Sequence, residues 1–277
     1  MERIKIPLLF VGGGTMARAI IEGAEKSGVL DMGLVGVVEP DIGRRGVFGN
    51  GFGSAGAGLD WLGGIGGECG IVLAVKPQVL GVATEGMGGV IESMELSPVV
   101  ISILAGTRSD RVERAMGESA RVVRVMPNTP AAVGMGMSAV SGSGSSTEQD
   151  VELAERLMGA VGDVVRIDEG LMDAFTAVAG SGPAYVFYVA EAMTKAAVDL
   201  GFDAGMARRI VEQTVVGAAG LLAESDDDAG ELRAKVTSKN GTTHAATATL
   251  DGLGVMEAFG KALTAARDRG GELAGEV

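Results

Sequence analysis

Cysteine and histidine are almost missing from this chain: Cys69 and His244 each stand alone among 277 residues. A single cysteine excludes an intrachain disulfide and fits a reducing compartment, so a cytoplasmic location is expected. One cysteine and one histidine cannot build a zinc site, and no metal is expected. No apolar run approaches the roughly 20 residues that a membrane helix needs. The short segment IPLLFVGG runs straight into glycines, without the pattern of a signal peptide. Positive charge is scarce as well: 23 Lys and Arg face 36 Asp and Glu, a net charge of −13. That balance argues against nucleic acid or an anionic membrane as partner, and an anionic ligand has to be held by local donors.

Glycine is the opposite case. There are 46, and eleven of them fall between Gly43 and Gly67. Each costs up to about 1 kcal/mol in a helix relative to alanine, which predicts short or frayed helices. Hydrophobic residues at 47% and charged ones at 21% still supply a core for one large domain or two ordinary ones.

Patterning divides the chain. Apolar runs suited to buried parallel strands recur at 6–11, 34–38, 71–75, 99–104 and 122–126. Helical periodicity lies between several of them, at 15–26, 79–93 and 110–116. The alternation predicts an α/β fold over residues 1–167, a doubly wound parallel sheet with right-handed crossovers. The stretch SGSGSS at 141–146 reads as a surface loop. Over 168–277 the strand runs disappear, and 184–200, 207–223 and 254–269 read as helices of an all-α domain. Within it, YVFYVAEAMTKAAV is apolar on most faces. Such a helix has to be covered on all sides, which a domain of about 110 residues cannot do alone. A homo-oligomer with a helical interface is therefore expected.

Two segments carry chemistry. Gly12-Gly13-Gly14-Thr15-Met16-Ala17 matches G-x-G-x-x-G/A directly after the first strand and at the start of a helix, the context a dinucleotide fingerprint requires. Glu39 closes the second strand; a carboxylate there accepts from the adenosine ribose and repels a 2′-phosphate, which favours NADH. Arg44 and Arg45 follow, and either clamp the phosphate of NADPH or lie in solvent. Lys76 and Pro77 in AVKP, the ILAGT loop, and Asn128 in MPNTP sit past the ends of later strands, where ligands of open α/β sheets bind. The second segment is VTSKNGTTH at 236–244, four hydroxyls, a lysine and a glycine feeding a helix that begins at AATATL. Unpaired N–H groups and the positive end of a helix dipole gather there, a place for a carboxylate or phosphate. The adjoining His244 is read as structural. GSGP at 180–183 opens the long apolar helix, with proline as its start signal.

These residues resemble the pyrroline-5-carboxylate reductase family over nearly the whole chain. The resemblance rests on FVGGGTMA, AVKPQ, ILAGT, VVRVMPNTP, AVAGSGPAYVF and VTSKNGTTHAA, in order and at family spacing. It implies a Rossmann domain followed by a helical dimerisation domain, giving a homodimer or a higher ring of dimers. It also implies reduction of 1-pyrroline-5-carboxylate to L-proline by NADPH or NADH, the final step of proline biosynthesis. By the same resemblance, Ser238, Gly241, Thr242 and Thr243 hold the substrate, and the Thr243 hydroxyl approaches its ring nitrogen. Gly12, Gly14, Thr15, Met16, Lys76, Pro77 and Asn128 match positions that line the cofactor. Thr15 stands where the family usually has Asn, Lys239-Asn240 where it often has Pro-Gly or Lys-Gly, and Glu39 where a small residue is common. Asn tolerates a left-handed backbone, so the loop is compatible with Asn240.

An imine that arrives protonated needs no acid–base dyad; the site has only to position it and exclude water. Other readings are another imine or 2-oxoacid-type reductase of this architecture, or a non-catalytic NAD(P)-binding sensor. The lysine and asparagine four apart that mark β-hydroxyacid dehydrogenases are absent, because Asp199 follows Lys195.

Overall fold

Strand β1 (Leu8–Val11) sends Leu8 and Phe10 to one side of a sheet and Leu9 and Val11 to the other, and all four are buried. That two-sided burial requires helices on both faces. The computed structural model describes residues 2–276 and has them. After β1 come α1 (Thr15–Lys26), β2 (Val35–Val38), α2 (Ile42–Arg45), β3 (Gly51–Phe52), α3 (Ala55–Ile65) and β4 (Gly70–Leu73). Then follow α4 (Leu80–Ala83), α5 (Met87–Ser93), β5 (Val99–Ser102), α6 (Ser109–Met116), β6 (Arg121–Met126), β7 (Gly136–Gly142), α7 (Glu148–Gly159), β8 (Gly162–Arg166) and α8 (Met172–Phe175). The eight strands lie in the order β3-β2-β1-β4-β5-β6-β7-β8. All neighbours are parallel except β6 and β7. The first six are in the Rossmann order, and the strand order reverses between β1 and β4. Ala17, Ile20, Ile21 and Ala24 of α1 join the Phe10 face, while Leu59 and Leu62 of α3, Ile91 of α5 and Val112 of α6 join the Leu9 face.

Several expectations are corrected. The single helix over 79–93 is broken, because Gly86 adopts φ +73° and separates α4 from α5. Ser141 and Gly142 are not loop but the end of β7, and Ser141 is buried. Strand β3 is two residues long, and β7 and β8 carry polar residues among the apolar ones, so hydrophobic runs did not mark them.

Glycine proves compatible with long helices: α10 (Ala204–Glu224) and α13 (Val255–Glu276) have 21 and 22 residues. Alanine, leucine and valine between their glycines restore helix propensity. In the glycine-dense stretch, packing demands some of the residues. A Cβ on Gly51 or Gly53 would lie 2.6 or 2.8 Å from the Arg45 side chain, and one on Gly58 would lie 2.7 Å from Val38.

By their contacts the described residues form two units. One runs to Ser181 and includes the segment from Ala266 onward; the other is Gly182–Ala265. The domain change expected at 167/168 falls inside the first unit, because residues 168–181 are tied to the sheet. Arg124 of β6 is nearly buried and pairs with Glu169 at 3.1 Å, and Glu169 also accepts from the N–H (2.8 Å) and hydroxyl (3.0 Å) of Ser109. The second unit consists of α9 (Gly182–Asp199), α10, α11 (Ala229–Lys235), α12 (Thr242–Gly252) and the start of α13. Phe187 (67% exposed), Tyr188 (73%), Val216 (66%) and Met256 (67%) lie open on these helices. So much exposed apolar surface marks an interface, as the apolar α9 sequence led one to expect. Among the described residues, no helix is long and apolar enough to cross a membrane.

Two paired carboxylates, buried Asp150 and half-buried Glu169, make stability depend on pH. Burial works against the charge on Asp150, but Arg121 and the N–H and hydroxyl of Thr147 outweigh it and hold its carboxyl below the usual range. Burial likewise opposes Glu169, and Ser109 and Arg124 overcome it. Both pKa values are lower in the folded protein than the ordinary 3.8 and 4.5. Their stabilisation is complete above those values and is lost as pH falls through the lower folded ones. Thermal unfolding followed by circular dichroism should give a steady midpoint from about pH 7 to 5 and a falling one below about pH 4. A midpoint indifferent to acid would contradict these two pairings.

Candidate active site

Beyond β1 the chain turns through Gly12, Gly13 and Gly14 into α1. Gly12 has φ +106°, and a Cβ there would lie 2.7 Å from the Ala74 carbonyl oxygen, so only glycine fits. Gly14 is different. Its φ of −72° suits any residue, and its missing Cβ faces open space. The position is a cradle that a phosphate fits and a side chain would fill. No side chain caps α1, whose first bond runs from Arg18 N to Gly14 O at 3.0 Å. The N–H groups of Thr15, Met16 and Ala17 precede that bond and are placed to receive an anion. A cleft of about 960 Å³ opens here, lined by Gly14, Thr15, Arg18 and Arg44 among others.

Glu39, 8% exposed, stands just past β2. Gly13 N donates to its Oε2 at 3.2 Å and Asp41 N to its Oε1 at 3.0 Å. The carboxylate therefore braces the glycine turn against the end of β2, a tie that sequence alone did not reveal. The two following arginines separate in role. Arg45 donates through Nη1 to the carbonyls of Glu39 (3.0 Å) and Pro40 (3.3 Å) and straps the loop. Arg44 is exposed in the cleft.

The loops past β4, β5 and β6 converge as expected. Ala74 and Val75, Ile103 and Ala105, and the turn from Met126 to Thr129 line one cavity of about 270 Å³, with Met16 entering from α1. Lys76 and Pro77 lie outside that lining: Lys76 is exposed and precedes the 3₁₀ turn Pro77–Val79. Asn128 is in the wall, with one end of its amide bonded to Ala179 O and the other to Met137 N. Gly180 also lines the cavity, from a π-helical turn (Thr176–Gly180) that periodicity had not signalled. Arg124 is a second omission; a charged residue within the apolar run RVVRVM requires a buried partner, though nothing in the sequence pointed to Glu169.

In the second unit, the hydroxyl-rich segment makes a tight turn, with Gly241 N bonded to Ser238 O at 3.0 Å. Asn240 has φ +60°, the left-handed conformation that asparagine tolerates. A Cβ on Gly241 would collide with the Ser238 hydroxyl. Gly241 is the N-cap of α12 and, as at α1, no side chain caps the helix. Asp203 caps α10 and Asp228 caps α11, so this open end is not the habit of the unit. The first helical bond is Ala245 N to Gly241 O at 3.1 Å, which leaves the N–H groups of Thr242, Thr243 and His244 ahead of it. Thr243 is half-buried and makes no side-chain hydrogen bond among the described residues, while its carbonyl accepts from Thr247 Oγ1 at 3.0 Å. His244 is exposed.

A doubly wound sheet with a glycine-turn helix end, followed by helices with open apolar faces, places the chain in the class of dinucleotide-binding α/β proteins with a helical domain built for association. The comparisons make this specific. The family model for pyrroline-5-carboxylate reductase dimerisation matches residues 169–273. The pyrroline-5-carboxylate reductase of Methanosarcina acetivorans is 37% identical, over 99% of this chain and 99% of that protein. That of Haemophilus influenzae is 37% identical, over 96% and 97%. Among solved structures, the Coxiella burnetii enzyme has a TM-score of 0.86 at 33% identity, covering 98% of this chain and 99% of its own. The Plasmodium falciparum pyrroline carboxylate reductase with NADP bound has a TM-score of 0.83 at 25% identity, covering 99% and 100%. The chain belongs to the pyrroline-5-carboxylate reductase family.

Proposed function

We propose that this protein reduces 1-pyrroline-5-carboxylate to L-proline with NADH or NADPH, the final step of proline biosynthesis, using the two glycine-capped helix ends as its ligand grips. The observation that carries the assignment of residues is the open N-terminus of α12, where three N–H groups and the helix dipole meet without a capping side chain. When bound, the reduced nicotinamide supplies a hydride to the imine carbon. The protein's own work is holding and orienting. Gly14 leaves room for the pyrophosphate, and Thr15 and Met16 offer it backbone donors. The α12 turn, through Ser238, Gly241, Thr242 and Thr243, fixes the substrate carboxylate. That restricts the imine to a reactive orientation, which is worth far more than any single contact. The Thr243 hydroxyl orients the ring nitrogen and hands on or accepts its proton through water.

Spectrophotometric assay of NADH and NADPH oxidation with pyrroline-5-carboxylate, with proline measured as product, tests the assignment. Thr243→Ala should lower kcat about 10- to 100-fold while leaving the cofactor dissociation constant near wild type. Intact turnover would remove Thr243 from the reaction.

Glu39 sets cofactor choice. It stands just past β2, the position from which a carboxylate accepts from the adenosine ribose in Rossmann folds and opposes a 2′-phosphate, which supports a preference for NADH. In Glu39→Ser the ratio of kcat/KM for NADPH to that for NADH should rise about tenfold, as Arg44 meets the phosphate unopposed. An unchanged ratio would show that Glu39 only braces the glycine turn.

The protein works in the cytoplasm, where its one thiol, buried at Cys69, stays reduced. The exposed faces of α9 and α10 pair in a homodimer, and dimers join into a ring; sedimentation velocity reads the mass of the assembly.

A further inference from the structure

Asn128 spans an unusual junction. Its Nδ2 donates to Ala179 O at 3.0 Å, and its Oδ1 accepts from Met137 N at 2.8 Å. Met137 lies at the start of β7, whereas Ala179 sits in the π-helical turn Thr176–Gly180. A π turn disrupts the regular helical ladder and recurs at functional sites. Here Ser181 N reaches back to Thr176 O at 2.8 Å, and the Thr176 hydroxyl donates to Met172 O at 2.7 Å. Ala179 O takes its bond from Asn128 instead.

The next residue, Gly180, forms part of the wall of the 270 Å³ cavity. A Cβ on it would lie 2.7 Å from Met126 Cε, so the turn packs against the side chain that ends β6. The depth of that wall is therefore set by the one side chain that ties both neighbours. At neutral pH a carboxamide of this length offers both a donor to the carbonyl and an acceptor to the N–H, which an ionised carboxylate does not. An ionised aspartate keeps the acceptor and loses the donor; alanine loses both and leaves two half-buried main-chain groups without this partner.

We propose that the 270 Å³ cavity, at the carboxyl ends of β4, β5 and β6 where ligands of open α/β sheets bind, is the seat of the nicotinamide, and that Asn128 is a positioning residue for hydride transfer there: it locks the π turn and so keeps Gly180 in its place in the cavity wall. This rests on the reductase reading above and adds a role that acts through Gly180 and Met137. The grip on pyrophosphate lies elsewhere, at Gly14 and α1, so loss of the lock affects the chemical step more than cofactor binding.

The test uses the full-length protein with pyrroline-5-carboxylate and its better cofactor, in wild type, Asn128→Ala and Asn128→Asp. In Asn128→Ala, kcat should fall about 100-fold, with the cofactor dissociation constant nearly unchanged. The primary deuterium isotope effect from 4-deuterated cofactor should grow, because the hydride step becomes limiting. In Asn128→Asp, the bond from Met137 is kept, but an ionised carboxylate faces the Ala179 carbonyl. Its kcat relative to wild type should recover as the pH is lowered and the carboxyl regains a proton to donate, a recovery absent in Asn128→Ala. If Asn128→Ala does not fold, that recovery is read within Asn128→Asp alone. Wild-type kcat in folded variants, a loss confined to cofactor binding, or no pH-dependent recovery would overturn the proposal. Absence of turnover in wild type would instead overturn the reductase reading, and this inference with it.

Discussion

Gly14→Val is expected to yield a folded protein that has lost at least about 100-fold in kcat/KM for either cofactor. The structure separates the two requirements that usually coincide in a glycine turn. At Gly12 the positive φ and the Ala74 carbonyl exclude any side chain, so Gly12→Ala damages the fold. At Gly14 the backbone is extended and the space beyond Cα is open. A valine Cβ there meets no protein atom within 4 Å, and the change costs about 1 kcal/mol or less as a poorer N-cap. Its two methyl groups stand where a pyrophosphate has to approach the N–H groups of Thr15 and Met16. A thermal midpoint close to wild type, together with abolished cofactor binding by calorimetry, is the expected pair of results. Retained binding would mean that the phosphates lie elsewhere in the cleft.

Thr242→Glu should separate stability from activity in the other unit. Thr242 is the first residue of α12 and is exposed. A carboxylate in the first turn interacts favourably with the helix dipole, by about 0.3–1 kcal/mol, so the thermal midpoint should stay level or rise. The same charge stands beside the proposed seat of the substrate carboxylate. Two like charges about 5 Å apart near a protein surface repel by roughly 1–3 kcal/mol, which raises KM for pyrroline-5-carboxylate about 10- to 100-fold. Cofactor binding should not change. A KM equal to wild type would remove the α12 end from substrate binding, whatever the effect on stability.

What could be foreseen from the sequence follows from what each part asks of the chain. In the fingerprint from Gly12 to Ala17 and the segment from Ser238 to Thr243, Gly12 and Asn240 take left-handed conformations that few residues adopt, Gly14 leaves open space and Gly241 has no room for a Cβ, so these positions were visible. Long buried strands such as β5 and β6 announced themselves as apolar runs. Strand β3 is too short for any pattern, and β8 is an edge strand with exposed Asp163 and Arg166 in it. The brace from Glu39 to Gly13 joins residues 26 apart, and that from Asn128 to Ala179 joins residues 51 apart. Such pairings depend on where the sheet brings its loops, which no local pattern encodes. Part of the glycine surplus has the same origin, since Gly51 and Gly53 yield space to Arg45 only once the loop is folded.

The most direct measurement is a crystal structure of the protein with proline and oxidised cofactor. The account predicts proline's carboxylate bonded to more than one of the N–H groups of Thr242, Thr243 and His244. Well-ordered proline bound elsewhere, with those three groups facing only solvent, would contradict it.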